Sequence, residues 1–171
     1  MAPSNQPPWL RGPLDGIPAL LQPVAHALVD ADEDVQKAVA ALSIEEVWAR
    51  PAGAASVGFH VQHAMGSLDR LFTYARSEVL SDRQLATLAG EKTLDAGSGL
   101  TATALVAEFA AAVKTAHAQL RSTRESELLA TRLVGRAQVP SNVLGLLFHA
   151  AEHTARHVGQ IVTTAKIVRT T

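Results

Sequence analysis

Leu146-Leu147-Phe148-His149-Ala150-Ala151-Glu152-His153-Thr154-Ala155-Arg156-His157-Val158-Gly159-Gln160-Ile161 is the stretch whose reading decides the fold. Its three histidines stand four residues apart, and on an α-helix such residues differ by only about 40° around the axis. Val143, Leu147, Ala150, Val158, Ile161, Ala165 and Val168 fall on one stripe, which predicts an amphipathic helix over about 141–168 that packs by one face. His157 lies at the edge of that stripe, His153 a little further round and His149 further still. Two imidazoles at i and i+4 on the border of an apolar face are placed to hold a metal between this helix and the rest of a bundle.

The same periodicity recurs upstream. Leu20, Leu21, Val24, Leu28, Val35, Val39 and Leu42 predict a helix over about 19–42, with Pro23 tolerated near its start. Ser43 and Glu46 have the spacing of a capping box and predict a short helical turn, ended by Arg50-Pro51-Ala52-Gly53. Val57, Val61, Ala64, Leu68, Leu71, Phe72, Ala75 and Val79 predict a second long helix over about 56–79, flanked by His60 and His63, with Asp69, Arg70 and Arg76 facing away. Thr101 is placed to cap a third over about 101–122, with Leu105, Phe109, Ala112, Val113, Ala116 and Leu120 inward.

Between these helices the periodicity fails. Residues 80–100 read as loop chemistry (Ser81-Asp82, Ala89-Gly90, Asp95-Ala96-Gly97-Ser98-Gly99) around a short helix at Gln84–Leu88, an insertion suited to lie over a site. Residues 126–139 read as irregular, with Pro140-Ser141-Asn142 leading into the last helix, and no segment alternates as a strand should. The first 18 residues carry Pro3, Pro7, Pro8, Pro13 and Pro18, which predicts an extended arm pinned to the domain by Trp9 and Leu10. The expectation is an all-α chain: one domain over 1–171, a bundle of four long helices behind a proline-rich arm.

Composition narrows the function classes. A length of 171 residues with 47% hydrophobic and 18% charged side chains suits one globular core. The formal net charge of −1 and 4% aromatic content supply neither a basic stripe nor stacking platforms, so no nucleic-acid partner is expected. The absence of cysteine excludes disulfides, iron–sulfur clusters, zinc thiolates and a cysteine nucleophile. The N-terminus lacks the basic-then-apolar pattern of a signal peptide, and no apolar run approaches the roughly 18 residues of a membrane span, which predicts a cytoplasmic protein without a membrane partner. There is no phosphate-binding glycine loop, no Gly-x-Ser-x-Gly elbow and no doubled Glu-x-x-His set for a di-iron centre.

The histidines remain. A bundle metal site needs ligands from more than one helix, and three neutral imidazoles suit zinc or nickel while leaving positions for water or substrate. The last helix offers His153 and His157; the second offers His60 or His63, of which the helical wheel sets His60 nearer the apolar stripe. Glu152 precedes His153 instead of following it, so this is not the zinc-protease motif, and its position on the polar face predicts a solvated charge. His149 lies too far toward that face for a ligand, and His26 and His117 stand alone as structural residues.

Ser56-Val57-Gly58-Phe59-His60-Val61-Gln62-His63 with Ser67-Leu68-Asp69-Arg70, joined to the His-xxx-His-x-Gly-Gln-Ile of the last helix, resembles the DinB-like (YfiT-type) superfamily from the first helix to the end of the chain. The resemblance implies a four-helix bundle with a three-histidine site for a divalent metal, zinc or nickel above all, and a homodimer. By position it implies His63, six residues after Val57, with His153 and His157 as ligands; His60, His149, Glu152 and Gln160 become neighbours or alternative ligands, and Gly159 a point of close helix packing. It further implies a metal-dependent enzyme, a thiol-dependent S-transferase or a hydrolase acting with a low-molecular-weight thiol or water. The alternative is a non-catalytic metal- or small-ligand-binding protein of the stress response.

Overall fold

Three of the four long helices begin where a short polar side chain takes up a free backbone amide. The computed structural model describes residues 6–91 and 99–170. Ser56 accepts from the Phe59 amide at 3.1 Å, Thr101 from Ala104 at 3.2 Å and Asn142 from Gly145 at 2.7 Å, which starts α3 (Val57–Ala75), α5 (Ala102–Ser122) and α6 (Val143–Val168). The fourth, α1 (Gln22–Val39), starts on Pro23, whose missing donor costs nothing in a first turn. The expected all-α bundle is therefore present: α3 packs on α6, α6 on α1, α1 on α5 and α5 on α3. Leu28, Val35, Val61, Leu105, Phe109, Leu120, Leu147 and Ile161 fill the space between them without solvent exposure.

Two short helices complete the α structure among the described residues. α2 (Ile44–Trp48) opens on the reciprocal Ser43–Glu46 capping box, as its spacing predicts. α4 (Asp82–Gly90) is longer than expected and opens on a second box, Ser81 with Gln84. Residues 92–98 of the predicted loop lie outside the described residues, as does Pro3 of the arm.

Three expectations about these elements are corrected. The 126–139 connection is not irregular: β1 (Thr131–Val134) pairs antiparallel with β2 (Val139–Asn142), in register Thr131 with Asn142. Four-residue strands carry too few positions for alternation to be visible, and Pro140 sits on an edge where its missing donor is harmless. The second long helix stops at Ala75, four residues early, leaving Val79 89% exposed. Ser77 there adopts φ +64°, its amide bonds to the Tyr74 carbonyl at 2.9 Å and Glu78 reaches back to Thr73 at 3.2 Å, which is the Schellman closure. Arg70 does not face away; it is buried.

The arm is held, but not by the expected side chains. Trp9 and Leu10 are at least half exposed, whereas Pro8 and Ile17 are buried. Gln22 bonds the backbone of Leu14 and Ile17, the His26 ring meets the Gly12 carbonyl at 3.0 Å, and Arg11 pairs with Glu33. His117 bonds the Ala25 carbonyl at 3.0 Å, so both solitary histidines have the structural role expected of them.

Two substitutions test this packing. A Cβ at Gly58 would stand 2.7 Å from the ring of Trp48, which is buried and tied through Nε1 to the Leu100 carbonyl at 3.0 Å. Gly58→Ala is therefore expected to destabilise by about 1–3 kcal/mol despite alanine's better helix propensity. Ser77→Gly, which relieves the left-handed residue, is expected to stabilise by about 0.5–1 kcal/mol. Urea unfolding midpoints at unchanged m-value measure both.

Candidate metal centre

The packing of α3 against α6 brings together four imidazoles. His60 Nδ1 lies 3.0 Å from His157 Nδ1, and His63 Nε2 lies 3.1 Å from His153 Nε2. The lower number on α3 meets the higher on α6, so the helices run antiparallel. A step of three residues on one then matches a step of four on the other, each close to one turn. One nitrogen from each of His63, His153 and His157 lies within 4.8 Å of the others. The ring centroids of His157 stand 4.6 Å from those of both His63 and His153.

Burial and mutual proximity hold His60, His153 and His157 below the ordinary imidazole range. His157 is pushed down to about 4, first by burial and then by the neighbouring His63, His153 and His60. Burial likewise lowers His60 and His153, with His63 adding to both. Neutral imidazoles are the metal-binding form, so the lowered His153 and His157 favour ligation at neutral pH.

Donor chemistry and spacing both fit a divalent ion. Nitrogens bound tetrahedrally at about 2.1 Å stand roughly 3.4 Å apart, and the His63–His153 pair is already near that separation. The third nitrogen, on His157, lies within 4.8 Å of both. Three protein ligands leave a position for water or substrate.

The surroundings carry what the local spacing did not reveal. Glu91, buried at the end of α4, reaches His63 Nδ1 with Oε2 at 2.8 Å and receives Arg70 Nη1 on Oε1 at 2.7 Å. Phe59 stacks on His63, centroids 5.7 Å apart and planes 9° from parallel. One signal was available: His63, Gly66 and Arg70 follow at i, i+3 and i+7, which puts all three on one face of α3. A Cβ at Gly66 would stand 2.8 Å from Arg70 Nη1 and 2.9 Å from Glu91 Oε1, so the ion pair crosses α3 where there is no side chain. Glu91 itself stands in the aperiodic segment and had no local signature.

The other candidates fall around this centre or outside it. His60 is the most buried of the cluster and bonds His157, so the wheel was right about its depth, while the set of three with converging nitrogens contains His63. His149 is exposed beside His153, with Nδ1 3.4 Å from Glu152 Oε2. Glu152 is held by Arg156, and its side chain is 37% exposed, in keeping with the solvated charge expected of it. Gln160 is exposed, and so is Gly159, around which a Cβ would meet nothing within 4 Å; the expected close packing there is absent.

Known proteins point the same way. A family model described as the DinB superfamily matches residues 27–161. A solved structure, described as the conserved protein of a locus from Enterococcus faecalis, superposes with a TM-score of 0.69 at 19% identity, covering 88% of this chain and 98% of that one. At that identity the likeness speaks for the fold. No curated protein matches the chain.

The lowered imidazoles give the metal-free chain a defined pH dependence. The unfolded chain takes up a proton at His157 near the ordinary value of 6.5, the folded chain only near 4. The contribution is thus complete above about 6.5 and is lost as pH falls toward 4. Chelator-treated protein is expected to unfold at lower urea at pH 5.5 than at pH 7.5, with a smaller difference in His157→Gln; a midpoint that rises on acidification contradicts the assignment.

Proposed function

The chain belongs to the DinB superfamily, and on that premise we propose that His63, His153 and His157 hold a divalent metal ion, zinc or nickel, in the service of a transfer or hydrolysis reaction. The observation that carries the proposal is the convergence of three ring nitrogens from two helices within 4.8 Å. When bound, such an ion supplies Lewis acidity toward a thiol co-substrate or water.

The chain's own residues do the rest of the work. Glu91 accepts from His63 at Nδ1, which leaves Nε2 as the atom offered to the ion. His60 does the same for His157, whose Nδ1 it occupies, so that the opposite nitrogen remains. Phe59, stacked on His63, supplies an apolar wall that excludes water from one side of the ring. A low-molecular-weight thiol as co-substrate, a homodimer and a cytoplasmic setting complete the proposal and rest on the sequence reading. Among the described residues no helix is long and apolar enough to cross a membrane.

One observation favours a second reading, a metal-binding protein without turnover. Among the described residues the carboxylates near the cluster are engaged: Glu91 with Arg70 and His63, Glu152 with Arg156. No free general base stands beside the imidazoles among the described residues. Turnover would then have to rest on a group of the ion, a histidine or the substrate itself.

Elemental analysis of untagged protein separates these readings from a bundle with solvated histidines. Wild type is expected to carry about one zinc or nickel per chain, and His153→Ala to carry none while keeping its helical content. Metal at a hundredfold excess over its dissociation constant should stabilise the wild type by about 2.7 kcal/mol and the variant not at all. A panel of thiols and electrophiles then decides between enzyme and binding protein. A wild type that neither carries nor takes up metal ends the proposal.

A further inference from the structure

The short helix α4 buries none of its own side chains. What seats it on α3 is polar: Gln84 Nε2 donates to Asp69 Oδ2 and Thr73 Oγ1, each at 2.8 Å, and Glu91 takes Arg70 on one oxygen and His63 on the other. The strongest of these anchors is shared with the metal centre. Arg70 carries a permanent charge in a rigid fork, is buried and passes over Gly66, where any other residue would collide with it. Both oxygens of Glu91 are therefore directed. An oxygen that accepts from His63 Nδ1 selects the tautomer whose lone pair is on Nε2.

Resting on the reading that the cluster holds an ion, the geometry points to Arg70 and Glu91 as positioning residues of His63, and to α4 as the element whose seat depends on the ion. A cation on Nε2 polarises the ring and strengthens the Nδ1–H bond to Glu91, so ion binding tightens α4 onto α3. Reciprocally, a seated α4 raises ion affinity, since coupling between two events is the same in both directions. The consequence reaches beyond the metal centre. α4 supplies Arg83, Gln84 and Thr87 to the wall of a cavity of about 530 Å³ between α3, α4 and α5, whose floor includes Met65, Phe72 and Arg70 itself. Occupancy at the histidines thus governs how firmly that cavity is walled.

Arg83 is exposed on α4 and makes a built-in reporter, because trypsin cleaves there only when the helix opens. Zinc affinity, by competition with a chromophoric chelator, and the rate of tryptic cleavage at Arg83 with and without zinc are measured on full-length wild type, Glu91→Gln and Arg70→Lys. Glu91→Gln preserves shape and keeps one of the two contacts; Arg70→Lys preserves charge and serves if the first variant is poorly folded. Zinc is expected to slow cleavage of the wild type about tenfold. Glu91→Gln should bind zinc roughly 10–100-fold more weakly and, once saturated, lose the zinc-dependent part of the protection. The ¹⁵N signals of His63 provide a readout that a merely structural role would not move: Nδ1 protonated in wild type, a tautomer mixture in Glu91→Gln. Zinc binding by the wild type with unchanged affinity in both variants, or with no slowing of cleavage, overturns this inference alone; a wild type that takes up no zinc overturns it together with the proposed function.

Discussion

The site depends on one packing event, the antiparallel contact of α3 with α6. Because both helices are pinned at their starts by side-chain caps and locked laterally by Val61, Ala64, Leu147 and Ile161, their registers are set, and with them the meeting of His60 with His157 and His63 with His153. Rotating either helix by one residue swings its side chains about 100° and separates all four rings. The imidazoles gain their closeness from the apolar core and add little cohesion of their own. Burial disfavours the charged form of His60, His153 and His157, which weakens the repulsion that their closeness would otherwise bring.

A second constraint runs across α3 from outside. Removing a guanidinium and a carboxylate from water is costly unless their geometry is good and the remaining lone pairs are used. Here Glu91 uses both oxygens, one on Arg70 and one on His63, and Gly66 supplies the clearance. Such a pair contributes direction more than stability, since the same volume of apolar side chains would cohere as well. The direction is toward a ring whose opposite nitrogen belongs to the candidate centre.

The sequence and the structure part company where periodicity is absent or misleading. Helix identity and facing were legible for all four long helices, since each carries several turns of apolar repeat; of the predicted stripe residues Val79 and Leu20 are the clear failures, lying at helix ends where the repeat has no neighbour to pack on. The hairpin was missed because its strands are only four residues long. Arg70 was misread because charge was taken as a sign of solvent, whereas a buried partner outweighs that preference. Spacing ranked His60 as the deeper of the pair but not which of the two joins His153 and His157: they stand three residues apart on one flank of the stripe, and both end in the cluster.

By itself the sequence determined the all-α class, the four helical faces, the Thr101 cap and the His153–His157 pair, because these are local facts of spacing and short-range hydrogen bonding. Only the tertiary structure decided which helices are neighbours, that His60 and His63 both face α6, and that Glu91, 28 residues along the chain from His63, is its partner. The reason is physical. A helix's own periodicity says which side chains share a face, but what that face meets is fixed by the packing of the whole core, and no residue of the Arg70–Glu91–His63 chain carries that information locally.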